Sequence, residues 1–172
     1  MKTKIFSLML VLLSAAIICL PKTIRAQDDM DFEEFMGMLS VSFTDYQLDE
    51  LSYQLPWNIR VTGYAYGDFS GDGLNDFVIA VKEKDKTPDG TVDVYFLKNL
   101  GDTTFTVVQK KNYKFYDVTL EVAFLVQYGE CFVTIRDSDN WYFTGYQIND
   151  DDSLVQVEKE SYPMEKIENA GR

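Results

Sequence analysis

The chain has 172 residues, with 16 basic and 28 acidic side chains, a net charge of −12 and no histidine. Nucleic acid and anionic lipid are recognised through Lys and Arg that neutralise phosphate, so this charge balance excludes both as partners. The missing histidine removes Ser-His-Asp triads, Cys-His dyads and histidine-based metal sites together.

Residues 1–26 read as an export signal. Lys2 and Lys4 form a basic start, Phe6 to Leu20 is an almost unbroken apolar run, and Ile24-Arg25-Ala26 offers a small residue before Gln27. The run is shorter than the roughly 20 residues a membrane span needs, and no later segment approaches that length, so no membrane span is expected. The expected location is secreted or periplasmic, with a lipid anchor through Cys19 as the alternative. Ile18 is bulkier than the residue such anchors usually place before the cysteine. The leader holds Lys2, Lys4, Lys22 and Arg25 but no acid, so its removal leaves a still more acidic protein. Residues 27–172 amount to a single β-rich domain. They keep one cysteine, Cys131, in the alternating stretch Cys131-Phe132-Val133-Thr134-Ile135, where a buried, inert thiol is expected.

Residues 28–55 predict one or two helices. Acidic Asp31, Glu33 and Glu34 favour a helix start, and Phe32, Phe35, Met36 and Leu39 recur at helical spacing. A second start follows at Thr44-Asp45-Tyr46-Gln47, a capping-box pattern with Phe43 and Leu48 placed as a hydrophobic staple. Leu48, Leu51 and Leu55 continue one stripe, and Pro56 ends it.

From Trp57 the period becomes two. Strands are predicted at 58–66, 76–83, 91–98, 104–110, 118–127, 131–136, 141–148 and 154–159. Phe77 to Val81 is apolar on both faces, which places it centrally in a sheet. Turn chemistry separates the strands at Pro88-Asp89-Gly90, Asn99-Leu100-Gly101-Asp102, Asp137-Ser138-Asp139-Asn140 and Asn149-Asp150-Asp151-Asp152. Short connections imply antiparallel pairing, and the strands divide into groups at 57–110 and 118–160.

One segment carries chemistry. In Asp68-Phe69-Ser70-Gly71-Asp72-Gly73-Leu74-Asn75-Asp76, oxygen side chains fall at positions one, three, five and nine, with Gly73 at the sharp-turn position six and the Leu74 carbonyl available at seven. Calcium takes six to eight oxygen ligands in flexible geometry, whereas magnesium prefers a tight octahedron with retained waters. Position twelve is Ile79, so the bidentate Glu of an EF-hand is absent. The other reading of the segment is an acidic Asx-rich turn without an ion.

Gly67 to Ile79 resembles the FG-GAP/VCBS repeat, the β-propeller blade repeat of integrin α-chains and many secreted bacterial proteins. The resemblance runs on through Val92-Asp93-Val94-Tyr95-Phe96-Leu97 and Asn99-Leu100-Gly101-Asp102-Thr103-Thr104-Phe105-Thr106, covering 66–108. It implies structural Ca²⁺ held by Asp68, Ser70, Asp72, the Leu74 carbonyl and Asp76. A propeller needs several four-strand blades, and this chain carries one clear repeat. The expected fold is therefore mainly β, an antiparallel sheet or small sandwich of about eight blade-like strands behind the N-terminal helices.

The expected function is an exported calcium-binding module, a non-catalytic binding or interaction protein whose partner is an unknown protein or carbohydrate. Trp57, Tyr64, Tyr66, Trp141, Tyr142 and Tyr146 are candidates for a stacking face, or else ordinary sheet packing. One alternative is a secreted hydrolase using paired carboxylates drawn from acids such as Asp117, Glu121 and Glu130. Another is an inhibitor or partner subunit that pairs through a sheet edge.

Overall fold

Both parities of Phe77–Val81 are apolar, so a strand formed there needs cover on two faces. The computed structural model describes residues 30–40, 43–84, 86–87, 90–101, 104–114, 122–136 and 139–163. Residues 1–29, which include the predicted export signal, residues 115–121, which include the predicted start of a strand at 118, the tips of several turns and residues 164–172 lie outside it. Two helices, α1 (Phe32–Leu39) and α2 (Asp45–Gln54), precede two antiparallel sheets. The first sheet runs in the order β1 (Met30–Asp31), β2 (Ile59–Gly67), β3 (Asp76–Glu83), β4 (Thr91–Asn99), β5 (Phe105–Lys114). The second is β6 (Val122–Gln127), β7 (Glu130–Arg136), β8 (Asn140–Ile148), β9 (Leu154–Pro163). Both are meanders in chain order, as the short turns predict. The protein is mainly β with N-terminal helices. No helix among the described residues is long and apolar enough to cross a membrane.

The helices start as the sequence predicts. The Asp31 side chain accepts from Glu34 N, and Thr44 with Gln47 forms a full capping box. The extra strand, β1, leads directly into α1; two residues are too few for a period of two to be legible. Met30 pairs with Val61 and buries its side chain, while Asp31 pairs with Arg60 and then caps the helix.

The first sheet is the middle of three layers. Phe77, Ile79, Val81, Tyr95 and Leu97 face the helices, where Phe35, Leu39, Leu48, Leu51 and Leu55 close over them. The opposite parity, Val78, Ala80, Val92, Val94 and Phe96, packs on Phe124, Cys131, Val133, Tyr146 and Ile148 of the second sheet. Each fully buried side chain of this kind contributes about 1.5–3 kcal/mol. The alternation in 92–97 thus separates two buried faces, one of which holds Asp93. That carboxylate is paired to Lys110 Nζ at 2.9 Å and to Asn112 Nδ2 at 2.8 Å.

Aromatic rings fill the helix side of β2: Tyr64 and Tyr66 stack on Phe77, with Phe35 and Phe43 edge-on. Two of the predicted stacking residues therefore belong to this packing, and a third, Tyr146, is buried between the sheets.

On its other side β2 presents Gly63, Ala65 and Gly67, which let β6 approach closely. A Cβ at Gly67 would lie 2.7 Å from Val126 Cγ1. Gly67→Ala is expected to destabilise the protein by about 1–3 kcal/mol through this overlap. Urea denaturation should show a lower midpoint with an unchanged slope.

Candidate functional site

The predicted loop joins β2 to β3 and is anchored at both ends. Phe69 buries its ring between the sheets, and its carbonyl accepts from Ile148 N at 2.9 Å, tying the loop to the end of β8. At the other end Asp76 is fully buried. Its Oδ2 accepts from Phe69 N at 3.0 Å and Ser70 N at 2.8 Å, and its Oδ1 from Asn99 N at 3.1 Å. One carboxylate thus closes the loop on itself and fixes it to the end of β4. Burial pushes this carboxyl above the usual range, against the opposing pull of those three amides. The Asn99 side chain completes the junction, donating to Asn75 O and accepting from Gly101 N.

Gly71 and Gly73 have φ of 80° and 87°. Residues with a Cβ avoid that region, which accounts for both glycines in the motif. The turn they make brings Gly71 N to Asp68 Oδ1 at 2.6 Å and Gly73 N to Asp68 Oδ2 at 2.9 Å. Leu74 N reaches Asp72 Oδ1 at 2.9 Å. Asp68 and Asp72 therefore turn onto the loop's own backbone. Among the described residues no group of three or more His, Cys, Asp or Glu side chains converges as metal ligands do.

The donor chemistry nonetheless fits a hard cation. An ionised carboxylate offers about four acceptor positions. The hydrogen bonds above occupy two on Asp68, one on Asp72 and three on Asp76. Ser70 Oγ is buried beside Asp76, close enough to favour its charged form, and makes no hydrogen bond of regular geometry among the described residues. A hydroxyl so placed keeps oxygen lone pairs that can serve as a ligand.

Lys98, which sequence reasoning did not single out, belongs to the same end of the molecule. It stands on the β4 parity that faces the second sheet. Its Nζ lies 2.6 Å from Asp152 Oδ1 and 3.9 Å from Asp72 Oδ2. The hydrogen bond to Asp152 and the charges of Asp152, Asp72 and Asp76 raise its pKa. Asp152 is presented by a tight turn, with φ of 60° and Asp152 N donating to Asn149 O. The only signal for Lys98 in the sequence is a lysine at the end of an apolar strand beside the Asn99-Leu100-Gly101 turn.

Of the acids named for hydrolysis, Asp117 and Glu121 lie outside the described residues. Glu130 stands on the outer face of the second sheet, its Oε2 close above Gly145, and Glu158 pairs across from the same glycine. Burial and then the Glu158 charge raise the carboxyls of both Glu130 and Glu160. Cys131 is fully buried as expected, and burial raises its thiol far above reactive range.

A scan against protein-family models finds no match to this chain, and a search of the curated proteins finds no significant relative.

Two outcomes are expected from these contacts. Asp76→Ala strands three backbone amides and should cost at least about 3 kcal/mol, whereas Asp68→Ala, whose amides reach water, should cost about 1 kcal/mol or less; chemical denaturation measures both. The raised folded-state carboxyls of Glu130 and Glu160 make stability fall as pH climbs from their ordinary range through the raised one. Glu158→Gln removes the repelling charge, worth about 0.5 kcal/mol for like charges on one sheet face. Its melting temperature should exceed the parent's by about 2 °C at pH 7, and the gap should close below about pH 4.

Proposed function

We propose that this protein is an exported, calcium-stabilised β module that works by binding rather than catalysis. The observation that carries the reading is Ser70 Oγ, a buried oxygen beside Asp76 with no regular hydrogen bond among the described residues, set among carboxylates that retain free acceptor positions. In the resemblance to FG-GAP/VCBS repeats, Asp68, Ser70, Asp72, the Leu74 carbonyl and Asp76 would hold the ion. Bound there, calcium supplies charge that offsets carboxylate repulsion and stiffens the loop. The chain's part is to orient those oxygens. Asp76 does so from a buried position, with its three amides fixing the carboxylate plane. Asp68 and Asp72 sit nearer solvent, so their amide contacts exchange for an ion at small cost.

The binding half of the reading draws on aromatic side chains left open to water. Trp57 is 87% exposed, Tyr53 80% and Tyr46 68%. Tyr46 and Tyr53 are seven residues apart on α2, on the face away from buried Leu48 and Leu51. They replace Tyr64 and Tyr146, and join the partly open Tyr66, as candidates for contact with a protein or carbohydrate. A hydrolytic reading would draw on Glu130 and Glu158 flanking Gly145. Those acids stand on the outward parity of a sheet, and burial followed by the charge of Glu158 already accounts for the raised carboxyl of Glu130.

Thermal unfolding of the purified, metal-stripped protein tests the calcium reading. Millimolar calcium should raise the melting temperature and equimolar magnesium should not, because only an ion bound to the folded state stabilises it. Asp72→Ala should lower calcium affinity and the calcium-dependent part of the stability together. An unchanged melting temperature in calcium sinks the reading.

A further inference from the structure

We propose that Lys98 is a tethered competitor for the calcium loop: its ammonium occupies the acidic mouth in the metal-free state and must yield Asp72 when the ion enters. The proposal rests on the calcium reading above.

The geometry is specific. Lys98 projects from β4 toward the second sheet and joins two carboxylates that come from different sheets. Asp152 Oδ1 is a direct partner at 2.6 Å, and Asp72 Oδ2 stands at 3.9 Å. The hydrogen bond between Phe69 O and Ile148 N holds the loop and the β8–β9 turn side by side, so this arrangement does not depend on a chance meeting of side chains. The lysine side chain is largely covered, at 16% exposure, while Asp72 and Asp152 are more open. The cation is therefore held by the fold, and the acids around it are the partners more open to solvent.

A divalent ion on Asp72 and an ammonium within about 4 Å of the same carboxylate repel one another, and at this range the repulsion is of order a kcal/mol even in water. Two arrangements follow. Without calcium, Lys98 screens Asp72 from Asp152 and lessens the repulsion between the loop and the turn. With calcium, Asp72 turns to the ion and Lys98 keeps Asp152 alone. The lysine charge thus lowers calcium affinity while supporting the empty loop. It also couples ion binding on the first sheet to a turn on the second.

The test compares the parent protein, Lys98→Met and Lys86→Met by calcium titration calorimetry and by melting in EDTA. Lys86 carries the same charge change beyond the far end of β3, paired to Glu83. Lys98→Met should bind calcium roughly tenfold more tightly than the parent. It should also melt about 3 °C lower in EDTA, with the deficit shrinking in calcium. Lys86→Met should match the parent's affinity within about twofold, because separation beyond a Debye length screens its charge. Equal affinities in Lys98→Met and Lys86→Met overturn the competitor role while leaving calcium binding intact. Absence of calcium binding in all three proteins overturns the calcium reading, and this inference with it.

Discussion

Two-sided burial of β3 and β4 is the constraint on which the rest of the molecule depends. A sheet whose central strands are apolar on both parities cannot present either face to water, so it must acquire a layer on each side. The chain supplies one from its N-terminal helices and the other from the second meander. Each device seen elsewhere serves that sandwiching. The phenylalanines and leucines of α1 and α2 close the helix side. Gly63, Ala65 and Gly67 keep β2 thin enough for β6 to approach on the other side. Asp93 is admitted to this interior only with Lys110 and Asn112 as partners, as a buried charge requires.

At the end of the sheets where β2 turns into β3, the same burial produces the chemistry. Asp76 begins β3 and is drawn inside with it, so its charge has to be met by backbone amides from two segments. That shapes the loop, and the loop's remaining acids then face the acidic turn between β8 and β9. Lys98 is the one basic group among the described residues seen to bridge them. The layered core and the polar cluster at its rim are thus consequences of a single strand.

Much of this was legible in the sequence, because it is written in periods and punctuation. The capping box at Thr44 and Gln47, the stop at Pro56, the central position of Phe77–Val81 and the positive φ of Gly71 and Gly73 each rest on local rules that tertiary structure did not override. What escaped detection is set by pairing at a distance. A two-residue strand such as β1 has no period. The burial of Asp93 depends on a cross-strand neighbour in β5. Lys98 gains its meaning from Asp152, which lies on another sheet. For the same reason the aromatic residues were only partly sorted: Tyr64 packs under the helices, Tyr66 stacks on Phe77 with its outer side open, and Trp57 stands exposed, though all three sit within one short stretch of chain. In the loop, the sharp turns at Gly71 and Gly73 were readable from the motif, but the capture of Asp68 and Asp72 by their own backbone amides was not.

The meander order has a kinetic side. All the pairings from β2 to β5 and from β6 to β9 join neighbours in the chain, so each sheet can assemble from hairpins with little loop-closure entropy. The contacts that join the sheets are of another kind, since Phe69 and Ile148 meet across most of the domain. Local contacts speed folding and distant ones slow it. The Phe69–Ile148 joint closes a far longer loop than any hairpin does, so it carries the larger entropic cost of formation. Until it is made, the loop and the β8–β9 turn are strangers, and the acidic mouth they share comes into being only with the finished fold.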